Sequence, residues 1–215
     1  MACRLRPGSS LSPTTGKGNG RPFSRARLAH SSALALGSAS MSTVEPVPMI
    51  TCPSTGGPCE GTGEPDQITG SPQADNISAR AGNDVVRAGA GGDELHGDQG
   101  GDDLFGETGN DTYFGDRGND TLTEDNITSN DTRFGGQNND NMSAGAGDDF
   151  VSGQVGDDTI EGGEGNDTHR GGDGNDFIDA EDGDPDNLVS GGSGTDTCLF
   201  DPGLDRVREC EIQNP

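Results

Sequence analysis

The chain has no tryptophan, one tyrosine and seven phenylalanines, so aromatic residues make up only 4% of its 215 positions. Hydrophobic residues of every kind reach 27%, against the ~45–50% of ordinary globular chains. That scarcity argues against a conventional packed core. No stretch approaches the ~18 consecutive apolar residues that a membrane-crossing helix needs, which excludes a transmembrane helix. Basic residues are also few: 13 Lys and Arg stand against 38 Asp and Glu, for a net charge of -25. Phosphate would repel such a chain, so nucleic acid is not its partner. Two classes survive, a disordered acidic chain and a chain that folds around cations.

The charge is unevenly spread. Residues 1–49 carry Arg4, Arg6, Lys17, Arg21, Arg25 and Arg27 against Glu45 alone, a balance of +5, and residues 50–215 carry the remaining -30. Segment 1–49 is rich in Ser, Arg and Ala and has no apolar period. It reads as a leader or disordered tail, and three origins stay open. One is a secretory signal with the short apolar run Ala33–Leu36 and the small residues Ser38-Ala39-Ser40; the others are a transit peptide and an over-extended start ahead of Met41 or Met49.

What the rest of the chain has in abundance is glycine (38 residues) and aspartate, in phase. From Gly61, fifteen consecutive units carry Asp in their sixth place: Asp66, Asp75, Asp84, Asp93, Asp102, Asp111, Asp120, Asp131, Asp140, Asp149, Asp158, Asp167, Asp176, Asp186 and Asp196. The step is nine residues, except for 11 before Asp131 and ten before Asp186 and Asp196. The eighth place holds Ile68, Ile77, Val86, Leu95, Leu104, Tyr113, Leu122, Met142, Val151, Ile160, Ile178, Leu188 and Cys198, with Arg133 and His169 as exceptions. The first and fourth places are mostly Gly. Two or three glycines per unit exclude a helix, at ~1 kcal/mol each, and permit tight turns. One apolar residue flanked by polar ones is the alternation of a short strand with one inward side chain. Each unit is therefore a turn and a strand, and only stacked units can bury anything.

If two units make one coil, residues 18 apart stack ~4.8 Å above one another. Asp84, Asp102 and Asp120 then share one column, and Asp93 and Asp111 the other. Such columns repel unless a counter-charge lies between them. Carboxylates at a turn, with glycine carbonyls beside them, suit Ca²⁺, which takes ~6–8 oxygen ligands; Mg²⁺ demands stricter octahedral geometry. Zinc would want His or Cys, and the repeats offer almost none. One inward side chain per nine ordered residues is little burial, so folding is expected to depend on bound ions.

These units resemble the haemolysin-type, or repeats-in-toxin (RTX), calcium-binding nonapeptide Gly-Gly-x-Gly-x-Asp-x-U-x, with U a large apolar residue; Gly171–Asp179 is the best example. The resemblance spans residues 61–199. It implies an all-β fold, a parallel β-roll of stacked turns and short strands, with several calcium ions held at the turns, and a secreted, extracellular protein. Carried over residue by residue, it implies carboxylate ligands at Asp84, Asp93, Asp102, Asp111, Asp120, Asp140, Asp149, Asp158, Asp167 and Asp176. It implies carbonyl ligands at Gly82, Gly91, Gly100, Gly109, Gly118, Gly147, Gly156, Gly165 and Gly174.

Departures from the pattern divide the array into blocks 61–125 and 126–199. Glu64 and Gln73 replace glycine in the first two units, which read as a degenerate cap. Asn126, Ser129 and Arg133 depart together after the insertion Glu124-Asp125, where a bulge or break is expected. The insertion in 180–190, with Pro185, is expected to lose its site. His30, His96 and His169 show no metal-ligand spacing and read as structural or solvent-facing. The Asn-x-Ser/Thr sequons at Asn76, Asn110, Asn119, Asn126, Asn130, Asn141 and Asn166 arise mostly from the repeat itself.

Five cysteines remain to be placed. Cys52 and Cys59 precede the array, Cys198 and Cys210 close it, and Cys3 lies in the leader. Local disulfides Cys52–Cys59 and Cys198–Cys210 would cap the ends in segments 50–60 and 200–215, in an oxidising compartment; free thiols or a zinc clip are the alternatives. The non-repeat ends are too short for a catalytic domain, and neither His-Glu-x-x-His nor Gly-x-Ser-x-Gly occurs, so no catalysis is expected. The leading functional expectation is a secreted, non-catalytic calcium-binding module. An adhesion or surface-layer component with an unknown cell-surface partner is the alternative, although no aromatic or apolar patch is evident; a fragment of a secreted hydrolase is a third.

Overall fold

The computed structural model describes residues 46–124 and 128–214, with the backbone alone at 212–214. Most of the leader, with Cys3 and His30, lies outside the described residues, as does Asn126. Among the described residues there is no helix. The strands form two sheets, every pairing is parallel, and the chain alternates between the sheets at each strand.

One sheet holds Met49–Thr51, Gln67–Ser71, Val85–Ala90, Asp103–Thr108, Thr121–Thr123, Asn141–Ala146, Thr159–Glu164, Phe177–Ala180, Thr197–Phe200 and Ile212–Asn214. The other holds Gly57–Glu60, Asp75–Ser78, Glu94–His96, Thr112–Arg117, Thr132–Gln137, Phe150–Val155, Thr168–Asp173, Leu188–Ser193 and Val207–Arg208. Two repeats thus make one coil of a parallel β-roll. The register follows the sequence period: Ile68 pairs with Val86, Val86 with Leu104, and Ile77 with Leu95.

The core is two columns of inward side chains. Ile68, Val86, Leu104, Leu122, Met142, Ile160, Ile178 and Cys198 form one; Cys59, Ile77, Leu95, Tyr113, Val151 and Val189 belong to the other, and all are buried. Arg133 and His169 also stand in the second column, fully buried at 0% exposure. The sheets run unbroken across the insertion near Glu124: Tyr113 pairs with Arg133 and Leu122 with Met142, so the ladder register spans the extra residues.

One inward assignment changes. The sequence period points to Leu188, but the structure buries Val189 and pairs it with His169. The N–H groups of both Asn187 and Leu188 point at the Asp167 carbonyl, at 2.9 and 3.4 Å. Two residues facing one is a bulge, and it moves the inward position along by one.

Both expected disulfides are present, Cys52–Cys59 with Cα atoms 5.3 Å apart and Cys198–Cys210 at 6.1 Å. Cys59 sits below Ile77 and Cys198 above Ile178, so each bond extends an inward column at one end of the roll.

The outer face of the second sheet carries a stripe that the sequence reading did not anticipate. His96 and Phe114 stack at 4.6 Å, Phe114 and Phe134 at 5.3 Å, and Phe150 follows at 5.7 Å. Arg170 closes the row over Phe150. The rings spend their faces on one another, as offset stacking favours.

Candidate metal centre

The sixth-place aspartates stand at the turns, where each strand begins. All fifteen are buried, at 0–4% exposure. In each of two columns the Oδ1 of one Asp accepts the main-chain N–H of the Asp one coil earlier. One column runs Asp66, Asp84, Asp102, Asp120, Asp140, Asp158, Asp176 and Asp196, with bonds of 2.7–2.9 Å. The other runs Asp75, Asp93, Asp111, Asp131, Asp149, Asp167, Asp186 and Asp205, at 2.6–3.0 Å. The first column ends on Glu211, which accepts the Asp196 N–H. A charge-assisted bond at each step positions the carboxylates firmly.

That bond uses only one oxygen. The Oδ2 atoms of Asp84, Asp93, Asp102, Asp111, Asp120, Asp140, Asp149, Asp158, Asp167 and Asp176 are buried without a hydrogen-bond partner. Buried polar atoms are nearly always satisfied, so ten orphaned oxygens on one structural motif call for a ligand. Those of Asp102, Asp111, Asp120, Asp140, Asp158 and Asp176 lie over the first-place glycine of their own unit. A Cβ on Gly97 would stand 2.6 Å from Asp102 Oδ2 and 2.9 Å from the Gly115 carbonyl oxygen. The carbonyls of Gly153 and Gly171 approach Asp140 Oδ2 and Asp158 Oδ2 in the same way. Carboxylate and carbonyl oxygens converging on one spot are hard donors, the set that suits Ca²⁺. The residues present therefore fit the ion that the repeat pattern implies.

The nine fourth-place glycines named above occupy the turns with φ between 136° and 154°, a region closed to other residues. Their carbonyls stack along the roll: the Gly82 oxygen lies against Gly100, and the Gly91 oxygen against Gly109. The fifth-place side chains, which sequence reasoning passed over, bind the coils in the opposite sense. Asn83 Oδ1 accepts from the Gly101 N–H, Asn139 from Asp157 and Asp157 from Asn175, at 2.8–3.3 Å. The signal was the recurrence of Asn or Asp just before the phased Asp.

Electrostatics agree with a missing counter-charge. Burial pushes the Asp102 and Asp167 carboxyls up to about 7, and Asp140 up to about 8. Asp111, Asp120, Asp149, Asp158 and Asp176 rise to about 6 for the same reason. The main-chain N–H bond pulls each value down but is outweighed. For Asp102 and Asp140, repulsion from the carboxylates of adjacent coils adds to the rise.

At the insertion the protein supplies its own cation. Arg133 enters the inward column beside Asp111, Glu124 and Asp131, whose oxygens lie within 4.8 Å of one another. Its Nη2 donates to Asp131 Oδ2 at 3.1 Å and to Glu124 Oε2 at 3.3 Å, while the guanidinium lies 4.7 Å over the Tyr113 ring. Tyr113 donates its hydroxyl to Glu124 and accepts the Gly106 N–H. Replacing Arg133 with Met should cost ~3–5 kcal/mol, because carboxylates are left buried without their partner. Denaturant unfolding of the calcium-loaded protein measures this. Adding Glu124→Gln to that variant should restore at least half the loss.

The second insertion behaves differently from its sequence reading. The loop after Ala180 brings an extra carboxylate, Asp182, to within 4.8 Å of Asp167 and Asp186, rather than leaving that turn without ligands. His169, read from sequence as structural or solvent-facing, lies buried beside them.

Fold and site together define a parallel β-solenoid whose turns are walled by columns of buried aspartate. No curated protein resembles the chain closely enough to count as a relative. The family model of the RTX calcium-binding nonapeptide repeat matches in four copies, at residues 60–95, 87–122, 134–168 and 170–198. These copies cover more than half the sequence, and the chain belongs to this family of calcium-binding repeats.

Proposed function

We propose that the protein is a secreted, non-catalytic calcium module whose folding is coupled to ion binding. The observation that carries this reading is the double column of buried aspartates, most of which commit one oxygen to the backbone and leave the other unpartnered. Asp84, Asp93, Asp102, Asp111, Asp120, Asp140, Asp149, Asp158, Asp167 and Asp176 supply carboxylate oxygens. The fourth-place glycines Gly82, Gly91, Gly100, Gly109, Gly118, Gly147, Gly156, Gly165 and Gly174 supply carbonyls, with first-place carbonyls such as Gly115 and Gly153 beside them. A bound Ca²⁺ supplies the positive charge that lets stacked carboxylates stay ionised. With ~6–8 oxygens per ion, an array of this length holds on the order of ten ions. The two terminal disulfides support an oxidising, extracellular setting.

Calorimetric titration with Ca²⁺ tests the reading, run at pH 7 in two buffers of different ionisation heat. Carboxyls raised to about 7 or 8 are partly protonated at that pH, so calcium must displace protons. The apparent heat should differ between buffers, and affinity should weaken as pH falls from 8 to 6. The metal-free fold runs the opposite way. Carboxyl values raised in the folded state add stability at low pH, which is lost as pH climbs through 6 to 8. Equal heats in both buffers, or affinity that does not change with pH, would count against these ligands.

A further inference from the structure

We propose that His169, Asp167, Asp182 and Asp186 form a second kind of metal site, taking one borderline divalent ion such as Zn²⁺ or Co²⁺ through a ring nitrogen and carboxylate oxygens. This goes beyond the calcium reading: it shares Asp167 with that reading but adds a ring nitrogen and the loop carboxylate Asp182.

Three carboxylates meet here from separate stretches of chain. Asp167 and Asp186 are successive members of one aspartate column, and Asp182 reaches in from the inserted loop. In each, Oδ1 is committed to a main-chain N–H: that of Asp149 for Asp167, Asp167 for Asp186, and Asp184 for Asp182. The Oδ2 of each is buried without a partner. Three free oxygens alone would make one more acidic cluster.

What sets the place apart is His169. Its side chain is fully buried, and neither ring nitrogen has a hydrogen-bond partner. Each nitrogen faces one member of the cluster: Nδ1 lies 3.6 Å from Asp186 Oδ2 and Nε2 lies 3.9 Å from Asp167 Oδ2. The ring has also taken over a particular spot. Over Gly97 and Gly135 the nearest group is the Oδ2 of that unit's own aspartate, whereas over Gly162 it is the His169 ring, whose Nε2 and Cε1 each lie 2.6 Å from where a Cβ would stand. One unit of the array therefore presents nitrogen where others present oxygen.

That exchange alters the preferred ion. Ca²⁺ prefers oxygen in sixes to eights. Imidazole favours zinc, copper, iron and nickel, and four N and O donors make a tetrahedral zinc set. With bonds of ~2.0–2.1 Å the edge of such a tetrahedron is ~3.4 Å, close to the 3.6 Å from Nδ1 to Asp186 Oδ2.

The test uses the full chain and Co²⁺ as a spectroscopic probe, with and without saturating Ca²⁺. One equivalent of Co²⁺ should bind despite the excess calcium and give visible absorption bands, and Zn²⁺ should displace it. His169→Val matches the valines on either side of it in the column and should keep the circular dichroism of the parent while losing the bands. Asp182→Asn, a loop change that leaves the roll intact, should weaken Co²⁺ by about tenfold. Unchanged Co²⁺ binding by the valine variant would overturn the proposal. So would absence of a bound equivalent in the parent chain, or a His169 ring whose nitrogen NMR shifts do not respond to Zn²⁺.

Discussion

Chelation of the calcium-loaded protein is expected to abolish its β-sheet circular dichroism and expand it toward an unfolded radius of gyration. For residues 46–214 that radius is about 43 Å. The core offers one large inward side chain per repeat with an occasional alanine, and the second column interrupts even that with Arg133 and His169. Burial on this scale cannot hold a chain of -25 net charge whose carboxylates stack coil on coil. At pH 7.5 the carboxylates raised only to about 6 stay ionised and repel once the counter-ions leave. Spectra and scattering should change together over the same calcium range, since binding and folding would be one equilibrium. A chelated sample with an unchanged scattering profile and melting temperature would show that packing and disulfides suffice, and the calcium-coupled reading would fall.

The second large effect is steric. Gly100 adopts φ of +144°, and a Cβ there would overlap the Gly82 carbonyl oxygen of the coil before it. Gly100→Ala therefore meets two penalties, a backbone region closed to L-residues and a collision with a main chain that cannot step aside. A loss of ~3–5 kcal/mol is expected, with a matching rise in the calcium needed to fold. Gly63→Ala is the control: a Cβ there meets nothing within 4 Å and its φ is ordinary. Its stability should stay within ~0.5 kcal/mol of the parent. Calcium-dependent unfolding of the two variants separates a stacking requirement from mere glycine content.

Much of this architecture was legible because its signal is periodic. Asp in the sixth place and an apolar residue in the eighth gave the turn, the strand and the pairing of residues 18 apart, as Ile68 and Val86 illustrate. The unread parts are those where period and neighbour relations diverge. Nothing local told Arg133 to seek Glu124, because the two meet only once Arg133 pairs with Tyr113 across the insertion. Val189 replaced Leu188 because a bulge absorbed the extra residue, and a one-residue shift reverses which side chain faces inward. Asp182 reaches its neighbours through loop geometry, which no repeat encodes. The stripe from His96 to Phe150 was missed because its members sit in alternate units and look isolated along the chain.

The alternation of strands between two sheets makes the roll sensitive to parity. Each coil holds two units, so loss or gain of a single nonapeptide would carry every later strand across to the opposite wall. With the unit that carries Leu122 lost, Tyr113 would lie beneath Met142 instead of Arg133, and Phe114 would lose Phe134 as its neighbour. A change by two units would leave both walls, both aspartate files and the aromatic row in phase. Such a chain can lengthen or shorten freely only in even numbers of repeats.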